Sequence, residues 1–130
     1  MASYVPVRLQ QQVREDAGQR CGYCLSSEAI TGIPLEIEPL LPESSGGLTT
    51  RGNLWLACHR CNKFKGNRVE VPDPVTRVMV PLFNPRRQIW HEHFRWSADG
   101  TRVLGLTPSG RATVEALQIN NAYAVEARRF

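Results

Sequence analysis

The sequence predicts an α+β fold, and three observations carry that prediction. Residues 6–17 repeat apolar side chains at helical spacing, two short segments near residues 33–37 and 53–57 read as strands, and Asp99-Gly100 is a strong hairpin turn followed by a helix-opening Thr107-Pro108. The chain has 130 residues, enough for one hydrophobic core of modest size, so a single domain over 1–130 is expected. Within it the expected parts are an N-terminal helix in 1–20, a metal-stapled core over 21–68, and a C-terminal extension over 69–130.

Pro6 suits a first helical residue, and Leu9, Val13 and Ala17 follow at i, i+4 and i+8, a single apolar stripe closed by Gly18. Ile33, Leu35 and Ile37 alternate with Pro34, Glu36 and Glu38, which predicts a half-buried strand stopped by Pro39. Residues 42–52 (PESSGGLTTRG) have the composition of a surface loop. Asn53 to Ala57 predicts a second strand, and His59 to Asn67 a helix closed by Gly66-Asn67. Four prolines then mark an extended connection with room for one strand at 78–80. Gln88 to Ser97 predicts a strand with Trp90, Phe94 and Trp96 on one side and His91 and His93 on the other. Its aromatic stripe suits a core, and the histidine pair an exposed face that could also hold a metal. Arg102 to Leu106 returns as its partner. A helix follows from Thr107-Pro108 through Ala112, Leu117 and Ile119, broken by Asn120-Asn121 before a short last helix.

The four cysteines stand as two pairs, Cys21-Gly-Tyr-Cys24 and Cys58-His-Arg-Cys61, with 33 residues between Cys24 and Cys58 (25 to 57). Two sulfurs three positions apart on a tight turn can face one ion, and a second such turn completes a tetrahedron. Cys21, Cys24, Cys58 and Cys61 are therefore expected to hold a structural zinc, whose binding free energy would be folding free energy. Four thiolates also accept iron, and the competing readings are ordinary core cysteines or one redox pair. A rubredoxin-like electron carrier would leave the basic and aromatic remainder without a role.

Other classes are excluded by composition. No run of eighteen apolar residues is present, so no membrane span is expected. Residues 1–12 have neither the apolar core nor the cleavage site of a secretory leader, which points to a reducing, cytoplasmic setting. No repeat, low-complexity tract or block of like charge suggests a solenoid or a disordered chain. Sixteen Lys and Arg against twelve Asp and Glu give a net charge of +4. The excess is local: residues 44–69 contain no acid, but do contain Arg51, Arg60, Lys63, Lys65 and Arg68. Bases presented together suit phosphate contacts, so DNA is the expected partner, bound with little sequence specificity because no base-reading element is visible.

The stretch LEIEPLLPESSGGLTTRGNLWLACHRCNKFKGN (35–67) unites a hairpin, a Gly-rich loop, Asn-Leu and Cys-x-x-Cys-Asn-x-x-Lys. In this it resembles the HNH endonuclease family, in the subset with a four-cysteine zinc site. Residues 81–117, PLFNPRRQIWHEHFRWSADGTRVLGLTPSGRATVEAL, resemble the tail of a bacterial subfamily of small HNH proteins. The resemblance implies a ββα-metal (His-Me finger) cradle and hydrolysis of phosphodiester bonds. It also implies Glu38 and Asn62 as ligands of a catalytic divalent metal such as Mg or Mn, and Asn53 as the residue that orients the cradle. Hard oxygen donors suit that ion, which would neutralise charge growing on the phosphate.

Where the family places a His as general base, this chain has Pro39. Proline has no titratable group, and losing a general base costs on the order of 10² to 10⁴ in rate. Glu36, Glu43 and His59 lie near in sequence as substitutes, none of them at the motif position. The expected function is an HNH endonuclease-like protein that binds DNA, its hydrolysis weakened or lost. The alternatives are a non-catalytic zinc-containing nucleic-acid-binding module and a metal-stapled interaction protein.

Overall fold

A computed structural model describes residues 4–130 of the chain; the first three residues of the segment expected to lack a leader lie outside these. The chain divides into two compact units, one ending at Asn67 and one beginning at Arg68. Both mix short helices with two-stranded antiparallel sheets.

In the first unit, helix α1 (Val7–Asp16) is preceded by Pro6, whose missing N–H costs nothing at a helix start. Its apolar stripe buries Val13 completely and packs against the second strand of the unit. Gly18 follows in the left-handed conformation that ends helices. A short helix, α2 (Glu28–Thr31), is capped by the Ser27 side chain. Strands β1 (Glu36–Pro39) and β2 (Leu54–Ala57) form a hairpin in which Glu36 faces Ala57, Glu38 faces Trp55 and Pro39 faces Leu54. The strand therefore begins three residues later than the alternation of Ile33, Leu35 and Ile37 suggests. Pro34 has no N–H for a ladder, and Ile33 is exposed. Pro39 is accommodated inside β1 because β2 is the strand's one neighbour in the sheet.

The 42–52 loop contains two 3₁₀ turns, Glu43–Ser45 and Arg51–Asn53, and is held by one side chain. Asn53 accepts a hydrogen bond from the Leu41 N–H (2.9 Å) and donates to the carbonyls of Leu41 (3.0 Å) and Leu48 (2.9 Å). Gly47 passes so close to Leu41 that a Cβ would lie 1.7 Å from its carbonyl oxygen. Helix α3 (His59–Lys65) follows β2 directly and packs on both strands of the hairpin.

The second unit begins with β3 (Glu70–Pro72) paired to β4 (Met79–Pro81), two strands where the sequence suggested one. Their connection is organised by Asp73, fully buried. It accepts from the Val75 N–H and the Thr76 hydroxyl and forms a two-bond pair with Arg111. Arg111 holds the Asp73 carboxyl far below the usual carboxylate range.

The strand predicted from Gln88 is corrected to one helical turn, α4 (Trp90–His93), followed by β5 (Phe94–Trp96). The aromatic stripe misleads because Trp90 to Phe94 is a helical step of four and Phe94 to Trp96 a strand step of two. Both steps keep the rings on one side, with Trp90–Phe94 centroids 5.1 Å apart and Trp90–Trp96 5.7 Å apart. His91 and His93 accordingly do not line a strand face. His93 hydrogen-bonds the Thr107 hydroxyl (2.7 Å) beside Phe83, and His91 lies edge-on to Trp90.

β5 pairs with β6 (Val103–Gly105) across the Asp99-Gly100 turn. There, hydrogen bonds from the Thr101 and Ser97 hydroxyls draw the Asp99 carboxyl down to about 2. Helix α5 (Pro108–Ala116) opens on the Thr107 cap with Pro108 in its first turn. It stops earlier than expected, since Gln118 turns left-handed, although Leu117 and Ile119 are still buried. Asn121 caps the last helix, α6 (Ala122–Ala127).

Candidate metal and nucleic-acid site

The two cysteine turns meet at the end of the hairpin. In the first, the Leu25 N–H bonds the Cys21 carbonyl, Leu25 is left-handed, and the Gly22 N–H reaches the Leu56 carbonyl (2.9 Å), tying the turn to β2. In the second, Cys58 is the residue before α3, and its sulfur accepts from the Cys61 N–H (3.4 Å). The four sulfurs all lie within 4.8 Å of one another, and Cys24 and Cys58 are 3.7 Å apart. Four ligands held tetrahedrally at the usual zinc–sulfur bond length are about 3.8 Å apart, so the quartet fits structural zinc. Burial pushes the Cys21 thiol up, while hydrogen bonding to Cys21 holds Cys24 low.

Glu38 lies one strand away with 1% of its surface exposed. The Tyr23 hydroxyl donates to Oε1 (2.5 Å) and Lys65 Nζ stands 3.4 Å from Oε2. Burial raises the Glu38 carboxyl, and Lys65 opposes the rise. Lys65 is itself buried and also donates to the carbonyls of Pro39 and Leu40. Asn62 is turned elsewhere: its amide nitrogen bonds Glu36 Oε1 (2.8 Å), and His59 Nδ1 lies 2.9 Å from Glu36 Oε2. These contacts hold the Glu36 carboxyl below its ordinary value, Asn62 contributing most. Residues 59, 62 and 65 follow one another at helical spacing, so one face of α3 meets both glutamates of β1.

A cavity of about 650 Å³ opens beside this face, bordered by Glu38, Pro39, Glu43, Ser44, Asn62 and Asn67. Pro39 presents no donor or acceptor side chain to it. On α3, Arg60 and Lys63 are exposed, Arg60 lying over the Phe64 ring at 5.8 Å. The other bases differ. Lys65 is buried against Glu38, and Arg51 is clamped by two hydrogen bonds to Asp16 (2.7 and 2.9 Å). Arg68 belongs to the second unit, where it bonds the Ala116 carbonyl. The acid-free stretch thus presents two of its five bases, not all five, on the surface of α3.

Residues 21–68 match the sequence profile of the HNH endonuclease family, which spans both cysteine turns, the hairpin, its loop and α3. This segment is similar to an HNH endonuclease domain. Comparison with curated proteins and with solved structures yields no match. Among the described residues, no helix is long and apolar enough to cross a membrane.

The HNH-like segment brings Glu38, Pro39 and Asn62 to one cavity. Within it the Asn62 amide is bonded to Glu36 and not to Glu38. Both Glu38 oxygens are engaged from within by Tyr23 and Lys65, and an ammonium 3.4 Å away already neutralises the carboxylate. Asn53 faces the loop and not the cavity. Tyr23 was not legible as a partner of Glu38, because its position inside the cysteine turn reads as filler. The pairing of Glu36 with His59 and Asn62 had a signal in the i, i+2 spacing of the glutamates against the i, i+3 spacing on α3.

Proposed function

We propose that this protein is an HNH-type, DNA-directed phosphodiester hydrolase of the cytoplasm, stapled by zinc and slowed by Pro39 at the general-base position. The carrying observation is the HNH match over residues 21–68 together with Arg60 and Lys63 exposed on α3, the helix whose Asn62 borders the cavity. Lys and Arg beside a cavity supply backbone affinity without reading bases, so binding should be strongly salt-dependent and weakly selective. In the hydrolysis itself the oxygen of water bonds to phosphorus, one ester oxygen leaves, and the proton of the water ends on the leaving oxygen. A divalent ion such as Mg or Mn, when bound at the cavity, would neutralise charge growing on the phosphate; Asn53 orients the loop that frames the cavity.

A second reading, a zinc-containing module that binds nucleic acid without cutting it, is favoured by two features. Pro39 cannot take a proton, and the Glu38 carboxylate is neutralised internally by Lys65.

Supercoiled plasmid incubated with Mg or Mn distinguishes the two. The expected result is slow nicking by the natural sequence and nicking faster by on the order of 10²-fold with Pro39→His, the low end of a restored general base. Absence of cleavage by both, with DNA retention that disappears as salt is raised, establishes the second reading instead. If no DNA is retained at low salt, both readings fail.

A further inference from the structure

We infer that Glu36, His59 and Asn62 form a second metal seat, for a divalent transition ion such as Mn²⁺, two residues back along β1 from the position implied by the family resemblance. The inference rests on the proposed hydrolase reading for its purpose, but not for its geometry. Three groups capable of ligation converge from two elements. The Glu36 carboxylate comes from β1, while the His59 imidazole and the Asn62 amide come from successive turns of α3.

His59 and Asn62 each stand at the distance from Glu36 that neighbouring ligands of one ion have. His59 Nδ1 is 2.9 Å from one Glu36 oxygen, and the Asn62 amide nitrogen is 2.8 Å from the other. Adjacent ligands of an octahedral ion at about 2.1 Å stand about 3.0 Å apart, so a cation can enter with little rearrangement. The Asn62 amide needs only to exchange its nitrogen for its oxygen, a half-turn of the terminal group.

The chemistry of the set points the same way. One imidazole with carboxylate and amide oxygens is a mixed N/O set that favours manganese, cobalt, nickel or zinc over magnesium. The His59 side chain is 78% exposed and the Glu36 side chain 41%, which leaves positions open for water or a phosphate oxygen. Asn62 also borders the cavity that holds Glu38 and Pro39, so an ion here would stand at the edge of the proposed reaction site. Glu38 offers no comparable seat, being 1% exposed with Lys65 against one oxygen and Tyr23 against the other.

The test is a titration of the zinc-loaded full chain with Mn²⁺, following the free-ion electron paramagnetic resonance signal and the broadening of backbone amide NMR signals. One bound Mn²⁺ is expected, with broadening centred on residues 36, 59 and 62. Affinity should fall at least tenfold in Glu36→Gln and in His59→Ala, and be within twofold of the natural sequence in Glu38→Gln. The NMR map on the unsubstituted protein decides the question even if one variant folds poorly. Broadening centred on residues 38 and 40, or no bound Mn²⁺ at millimolar concentration, overturns the seat. Mn²⁺ bound at Glu36 without plasmid nicking would keep the seat and refute the hydrolase reading. Nicking that survives Glu36→Gln, together with a map centred on Glu38, would do the reverse.

Discussion

Asn53 and Gly47 carry more of the local architecture than their size suggests. Asn53 spends its whole amide on the loop, accepting one backbone hydrogen bond and donating two, while Gly47 lies where any side chain would strike the Leu41 carbonyl. Because the struck atom is backbone, a methyl group there cannot be absorbed by a side-chain rotation. Gly47→Ala should therefore lower stability by at least about 2 kcal/mol, measured by urea unfolding, an overpacking cost at a site that cannot yield. The neighbouring Gly46, left-handed but with open space around it, is constrained by backbone conformation alone. Asn53 shows how a residue can be legible and its role not. Its place before a Leu-Trp-Leu strand is visible in the sequence, yet its three partners stand 5 and 12 residues away and depend on how the loop closes.

At the level of elements, β1 and α3 are joined by a buried charge pair whose members belong to different motifs. Glu38 and Lys65 have 2% and 4% of their side chains exposed, so neither can recover hydration if its partner is removed. Lys65→Met should cost about 3–5 kcal/mol by leaving a buried carboxylate without its cation. Adding Glu38→Gln to that variant should recover a large part of the loss, because the uncompensated charge disappears with it. Thermal melts of the two single variants and the double variant measure the difference; additive losses would argue against a coupled pair. The sequence presented Lys65 as one of five bases near a site, and only the rotation of α3 on the hairpin reveals that it faces inward. Elements with a local cause were legible: the Pro6 start of α1, the Thr107-Pro108 opening of α5, the Asp99-Gly100 turn. Elements decided by packing were not. The helical turn at Trp90–His93 hides in an apparent alternation, and β3 becomes visible only when Asp73 and Arg111 close the connection to β4.

On the scale of the whole chain, the cysteine quartet lies entirely within one of the two units. Removing zinc should therefore act unevenly. After chelation, hydrogen exchange read by mass spectrometry should accelerate across β1, β2 and α3 while β5, β6 and α5 retain their protection, since four thiols without an ion, three of them buried, cannot replace its contribution. Uniform acceleration throughout the chain would show that the metal supports both units alike. The quartet's location has one more consequence, which lies in the Cys58 sulfur. That atom ends a strand, begins a helix and belongs to the sulfur cluster, so it fixes the phase of α3 as well as its start. Each residue of an α-helix advances about 100° around its axis, since 3.6 residues complete a turn. An error of a single residue at the sulfur would swing His59, Asn62 and Lys65 off the hairpin together and bring Arg60 or Lys63 inward. An ion held by the cysteines would thus act as a rotational index, selecting which side of the helix meets the glutamates and which meets the solvent.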